Sequence, residues 1–241
     1  MEAGSIFKAP MVVGYKGEIG RFILAGLLEH LPKANDIHCT DVSNSKQDVV
    51  ERLEKADYVF LCMPLQITAQ WLEEFAPHLE GKTIVEQCSV KSFLYENTAF
   101  DRLKLISMHL LFRPSATPLH DRHGLAFSDR VSAKDLEGFC RETKKALATP
   151  MTLLESKDEP AHVLHDRLMA RQQALVHRVL LTLAESLTEE NMRTYVGKRV
   201  AELAERIRAG DSVLYRMIQE NPHLQEELGT FEDRLRKFEI D

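Results

Sequence analysis

The sequence predicts an α/β chain in two parts, a mainly parallel, doubly wound sheet followed by an all-helical domain. Three observations lead there. Short β-rich apolar runs alternate with helical patterns up to about residue 155, and strands alternating with helices imply parallel pairing, because each crossover needs a helix to return the chain. Those runs lack clean in-and-out alternation, as strands covered on both faces do. Beyond residue 156 no strand signal returns. The expected domains are therefore 1–155 and 156–241.

Taken in order, MVVG at 11–14 reads as a buried strand, and GEIGRFILAGLLEHL as the helix after it. DIHCTD at 36–41, ADYVFLCMP at 56–64, TIVEQ at 83–87 and LKLISMH at 103–109 are further strands, with weaker ones near 124–128 and 151–155. Ser156 to Glu159 has capping-box spacing, which puts Pro160 in the first turn of a helix running to about Leu187. Helical patterns continue over 189–208, 212–220 and 223–237, punctuated by Gly210 and Asn221-Pro222.

Composition excludes several classes. The 241 residues are 44% hydrophobic and 28% charged, a globular balance. The net charge is −6 without a long cationic run, which argues against a nucleic-acid surface. No apolar stretch is long enough for a bilayer, and the first residues lack signal-peptide character. Four cysteines, at 39, 62, 88 and 140, form no C-x-x-C pair, so no metal site or disulfide framework is expected, and a reducing cytoplasm fits.

The sharpest local signal is Gly-Tyr-Lys-Gly-Glu-Ile-Gly at 14–20, directly after a strand and opening a helix. Gly14 permits the tight turn, Gly17 lets backbone amides approach a pyrophosphate, and Gly20 lets helix and sheet pack closely. This G-x-x-G-x-x-G spacing is a variant of the dinucleotide fingerprint, with Tyr15, Lys16, Glu18 and Ile19 completing the turn, and makes the sheet a Rossmann-type one. Asp41 ends the next strand, placed to accept hydrogen bonds from ribose hydroxyls and to repel a 2′-phosphate, which favours NAD over NADP. Ser43 and Lys46 follow closely and leave NADP open.

Further motifs share one likeness. Residues 56–92 resemble the prephenate dehydrogenase pattern: a third strand ending in Val-Pro (here Met63-Pro64), a Thr opening the next helix (Thr68), and a fourth strand ending in Asp-x-x-Ser-Val-Lys. SMHLLFRP at 107–114 is similar to that family's His-Pro-Met-Phe-Gly-Pro. HDRLMARQQALVH at 165–177 resembles the helix opening its helical domain, and RIRAGDSVLY at 206–215 a later segment. The matches run in order from about residue 11 to 215. The resemblance to the prephenate/arogenate dehydrogenase family implies NAD-dependent oxidative decarboxylation of a small anionic substrate. It makes His109 the catalytic histidine, with Ser89 as its hydrogen-bonding partner. His177, Gln173 and Arg206 would bind substrate. Two departures stand out: Leu110 replaces Pro, and Arg113 replaces Gly, either crowding the pocket or adding a cation for a dianion.

That chemistry needs these residue types. Prephenate loses hydride from its hydroxyl-bearing carbon and then carbon dioxide to become aromatic, so the protein mainly orients the ring and supports charge on oxygen. A neutral histidine, with an ordinary pKa of about 6.5, serves to accept from the hydroxyl. Guanidinium grips carboxylate through two parallel hydrogen bonds. Each residue also has a plainer reading. Ser89 can cap a helix, Lys91 can be a site-edge cation or a solvated lysine, and Arg206 can sit on a salt-bridged face with Arg199, Glu202, Glu205 and Arg208. His120, Arg122 and His123 read as solvated. The open alternatives are an arogenate or NADP-preferring enzyme, a catalytically impaired dinucleotide-binding homologue, and another small β-hydroxyacid dehydrogenase. The helices after 188 are too few to bury a core alone, which predicts a homodimer through the helical domain.

Overall fold

Each apolar run read as a strand contributes one in the computed structural model, which describes residues 5–31, 37–209 and 212–237. β1 (Met11–Val13), β2 (His38–Thr40), β3 (Tyr58–Leu61), β4 (Thr83–Glu86), β5 (Lys104–Leu110), β6 (Gly124–Phe127) and β7 (Met151–Leu153) form one sheet, ordered β2-β1-β3-β4-β5-β6-β7. The first five are parallel; β6 runs antiparallel to β5, and β7 pairs parallel with β6. Asp36 and Gly210, read as a strand start and a helix break, lie outside the described residues.

The crossovers are α1 (Glu18–His30), α2 (Lys46–Lys55), α3 (Leu65–Phe75), the short α4 (Ser92–Tyr95) and α5 (Ala133–Leu147). Ile23 and Leu27 of α1 share one buried cluster with Phe139, Ala146 and Leu147 of α5 and with Val12, Phe60, Val85 and Ile106 of the sheet. Phe7 fills the gap between them, edge-on to Tyr58 and Phe60 at 5.0 and 5.6 Å. The order of strands reverses beside β1, since β2 lies on one flank and β3 on the other. In open sheets of this kind the crevice at such a reversal, outside the strands' C-terminal ends, is where ligands bind.

One polar group is sealed inside this unit. Glu86 and Lys91 are both fully buried and paired at 2.7 Å. Glu86 also accepts from the Cys88 amide at 2.7 Å and from the Ser107 hydroxyl, while Lys91 donates to the Met108 carbonyl at 3.4 Å. Lys91 is thus neither a site-edge cation nor a solvated lysine. It ties the end of β4 to the end of β5.

The chain divides into two units, Met1–His162 and Val163–Asp241; sequence alone puts the boundary at 155/156. The Ser156 hydroxyl accepts the Glu159 amide at 3.2 Å as the spacing predicts, yet helix α6 (Ala161–Met169) starts later. Pro160 therefore precedes the first turn rather than lying in it. The helix expected to run unbroken to Leu187 instead widens into a π turn at Ala170–Ala174 before α7 (Leu175–Ser186). Its neighbours support that turn: Gln219 donates to the Ala174 carbonyl at 3.2 Å, and Glu227 takes a two-pronged bond from Arg171 at 2.9 Å. α8 (Tyr195–Arg208), α9 (Ser212–Gln219) and α10 (Leu224–Arg236) complete the unit around a small core of Ala174, Leu175, Ile218 and Leu224.

Removing half of the sealed pair strands a charge. Lys91→Met is expected to cost about 3–5 kcal/mol in urea unfolding, and adding Glu86→Gln should recover much of that loss. An unfolding midpoint unmoved by Lys91→Met would show that the pair does not hold the two strand ends.

Candidate functional site

The glycine turn stands at the reversal point of the sheet. Gly14 has φ +79°, and a Cβ on it would lie 2.6 Å from the Cys62 carbonyl oxygen just past β3. A Cβ on Gly20 would lie 2.2 Å from the Gly14 carbonyl oxygen, so the start of α1 rests directly on the turn. Gly17 differs. A Cβ there would meet only the Gly14 oxygen, at 3.3 Å, a tight contact but one that small shifts relieve. Packing inside the protein thus demands less at Gly17 than at Gly14 or Gly20. Gly17 is also the N-cap of α1 and has no side chain to cap it, so the helix opens with amides turned to whatever sits outside. These residues fit the diphosphate of a dinucleotide.

Asp41, expected to face ribose, also braces the turn: its carboxylate accepts from the Lys16 amide at 3.0 Å and the Val42 amide at 2.9 Å. The Lys16 ammonium reaches the Ser43 hydroxyl at 2.9 Å, setting a cation beside Asp41. Beyond β3, Pro64 caps α3, and the buried Thr68 hydroxyl donates to the Met63 carbonyl at 3.2 Å. This fixes the segment that faces the glycine turn.

Glu18 opens α1 and ties it to the loop after β5. It accepts from Arg113 Nε at 3.0 Å and from the Ser115 amide and hydroxyl at 2.8 and 2.5 Å. Burial pushes its carboxyl up, but the Ser115 bonds and Arg113 outweigh that and hold it below the ordinary carboxylate range. Arg113, expected at the substrate, is therefore engaged at the cofactor turn. Arg122, read as solvated, braces the same loop. It bonds the Thr117 and Pro114 carbonyls at 3.1 and 2.9 Å, and its guanidinium lies over Phe22 and Phe112. His123 meets Thr152 at 2.9 Å, and only His120 fits the solvated reading.

His109 is buried near the C-terminal end of β5, opposite Leu125 of β6. Leu110, its departure from the resembled pattern, is a buried strand residue. Ser89 lies half-buried on the bend after β4, and among the described residues no hydrogen bond joins it to His109. In the second unit, Gln173 falls within the π turn and His177 one turn later. Gln173 Oε1 and His177 Nδ1 are buried without a hydrogen-bond partner among the described residues. Burial lowers the His177 pKa below its ordinary value, so the ring, stacked on Tyr215, is neutral near pH 7. Arg206 is exposed on α8. Its neighbours pair with each other, Arg199 with Glu202 and Arg208 with Glu205 and Glu185, and no ion pair of Arg206 is formed among the described residues. Sequence reasoning assigns no role to the buried residues Glu86, Ser107, Tyr95 and the His165–Asp166 pair (2.9 Å), although His165 and Asp166 open the motif at 165–177 and Glu86 stands where the resembled pattern has Asp.

Fold and turn together define a class: a Rossmann-type nucleotide-binding domain followed by a helical domain. Residues 29–116 match the model of the prephenate dehydrogenase nucleotide-binding domain. A probable arogenate/prephenate dehydrogenase of Methanocaldococcus jannaschii is 26% identical over 195 residues, covering 78% of this chain and 42% of the relative, so the chain spans less than half of that relative's length. Over residues 29–116 the chain is thus similar to the nucleotide-binding domain of prephenate dehydrogenases, and the archaeal relative carries the likeness over most of the chain. Among solved structures, the A. aeolicus prephenate dehydrogenase in complex with hydroxyphenyl propionate and NAD+ shares the fold with a TM-score of 0.72, 18% identity, and coverage of 95% of this chain and 88% of that one. Synechocystis arogenate dehydrogenase does so with a TM-score of 0.69, 17% identity, and coverage of 95% and 89%.

The contrast among the glycines is testable. Gly14→Ala should lower the melting temperature sharply, since it adds strain and a backbone clash. Gly17→Ala should leave melting nearly unchanged while weakening NADH binding in a fluorescence titration. Equal NADH affinity for Gly17→Ala and the native protein would argue against a ligand at this turn.

Proposed function

We propose that this chain binds NAD at the Gly14–Gly20 turn and oxidatively decarboxylates prephenate to 4-hydroxyphenylpyruvate. The observation that carries the reading is the sheet itself. β1, β3, β4 and β5 are parallel, so the glycine turn after β1 and His109 on β5 share one edge. They stand three strand spacings apart, about 14 Å at 4.7–4.9 Å each. An extended dinucleotide with its diphosphate on the turn covers such a distance.

Bound there, the nicotinamide supplies the hydride acceptor. The chain's own residues do the rest. The α1 amides hold the diphosphate and Asp41 the adenosine ribose. His109 accepts the proton of the ring hydroxyl as hydride leaves the same carbon and a carbonyl forms. The bond to the ring carboxylate then breaks, releasing carbon dioxide, and its electron pair completes the aromatic ring. The phenolate oxygen recovers the proton from His109. Ser89, not bonded to His109 in this structure, is proposed to take the other imidazole nitrogen once substrate is bound. Arg206, without an ion pair among the described residues, is proposed for a substrate carboxylate, and His177 and Gln173 for its polar groups.

A second reading rests on Lys16. Its ammonium, bonded to Ser43 beside Asp41, offers charge to a 2′-phosphate, which favours NADP and leaves arogenate as an alternative substrate. Following reduced nicotinamide by absorbance with prephenate or arogenate, each with NAD or NADP, separates these. Binding without turnover on either acid would instead support an impaired homologue.

His109→Asn should lower kcat by about 10²–10⁴, the usual share of a general base, with NADH affinity unchanged. Full turnover in that variant would remove His109 from the mechanism. For the helical unit we propose self-association through Val176, Leu183, Val196 and Leu203, large apolar side chains left exposed on α7 and α8. The expected mass by light scattering at micromolar concentration is that of a dimer; a monomer would contradict the assignment.

A further inference from the structure

We infer that Arg113 is a positioning residue for the dinucleotide: it neutralises Glu18 and turns its carboxylate away from the anion bound at the first turn of α1. This rests on the proposal that the glycine turn takes a dinucleotide. Glu18 is the first residue of α1, immediately after the glycine of the turn that packing requires least. A carboxylate there is well placed for the helix dipole but shares that positive end with any diphosphate, and like charges at short range disfavour each other.

The structure gives this carboxylate a different destination. Both of its oxygens are taken, one by Arg113 and the other by the amide and hydroxyl of Ser115. The donors come from a loop that is itself built to stay put. The Arg113 amide bonds the Thr117 hydroxyl at 3.3 Å, and the Ala116 and Thr117 amides bond the Arg113 carbonyl at 3.0 and 2.9 Å. Arg122 then pins the loop to Phe22 of α1 through its stack on Phe22 and Phe112, whose rings meet edge-on at 5.5 Å. The same loop follows directly on the His109–Leu110 end of β5, so one clasp joins the cofactor turn to the strand that carries the histidine.

Stability is not the point of the clasp. The Arg113 side chain is 71% exposed, and exposed pairs contribute little to folding. Charge at the site is another matter. Without Arg113 Glu18 keeps its Ser115 bonds but loses its cation, so the first turn of α1 carries an unneutralised charge where two phosphate charges arrive. Arginine at this position, where the resembled pattern has glycine, and glutamate at the helix start therefore form one unit.

The test is a double-mutant cycle on NADH binding by fluorescence titration, with Arg113→Met keeping part of the aliphatic stem. Arg113→Met should weaken binding by about three- to tenfold at low salt, with the loss shrinking toward unity near 1 M salt. Glu18→Gln alone should bind as tightly as the native protein or tighter. Arg113→Met combined with Glu18→Gln should return to the Glu18→Gln value, which a merely disordered loop would not do. Native-like affinity in Arg113→Met, or a double variant as weak as Arg113→Met, overturns the inference; the latter would mean that Arg113 meets the anion itself. Absence of saturable NADH binding in the native protein would instead overturn the dinucleotide proposal beneath it.

Discussion

Between β1 and α1 the backbone passes through a space with no room for side chains. At Gly14 the neighbour is the carbonyl that follows β3, and at Gly20 it is the carbonyl of Gly14 itself. These two contacts bring the start of a helix onto the edge of a parallel sheet at the place where strand order reverses. Any larger residue would push the helix outward and separate its amides from the crevice beside β3. Asp41 secures the arrangement from the other flank by holding the Lys16 amide. Sheet order, the placement of the first helix and the anion-binding end of that helix therefore follow from one steric constraint.

Two ion pairs at this edge illustrate how burial changes what a charge pair does. Glu86–Lys91 has no exposure on either side, and taking both groups out of water is costly. What offsets the cost is complete use of the oxygens, by lysine, by the Cys88 amide and by the Ser107 hydroxyl. Such a pair stabilises relative to its own broken halves rather than relative to an apolar filling, and its effect here is to fix the ends of β4 and β5, including the segment leading into His109. Arg113–Glu18 is exposed and adds little to folding, yet it decides which charge the first turn of α1 shows to a ligand. The buried pair acts on geometry and the exposed one on potential.

The strands and most helices were legible because their signals are local. A buried parallel strand needs a run of apolar residues, and TIVEQ or ADYVFLCMP supplies it whatever lies around it. The glycine spacing was legible for the same reason. Partnerships across the fold were not. Lys91 and Arg122 look like any surface cation in sequence, and burial of the first and ring-stacking of the second depend on residues 5 to 100 positions away. Arg113 was recognised as unusual, but its acid partner lies 95 residues earlier, so sequence suggested the substrate where the fold supplies Glu18. The start of α6 slipped for a related reason. Ser156 does cap an amide three residues on, but the turn it closes is followed by Pro160 before the helix begins.

The π turn at Ala170–Ala174 carries the last step. Periodicity alone reads one regular helix from the turn holding Pro160 to about Leu187, because an added residue in a single turn barely disturbs an apolar pattern. In the fold, that turn leaves the Ala174 carbonyl to Gln219, and among the described residues Gln173 Oε1 and, one turn on, His177 Nδ1 are buried without a hydrogen-bond partner. A buried acceptor without a donor costs about 1–3 kcal/mol, and π turns are themselves less favourable than the helix they interrupt. Two such costs in one stretch of the helical unit, supported from outside by Arg171–Glu227 and Gln219, are hard to account for as packing. Under the function proposed above, polar groups of the substrate would complete Gln173 and His177. A neutral His177, as its burial dictates, suits a hydrogen-bonding part of this kind and leaves the charge of an anionic ligand to a cation such as Arg206.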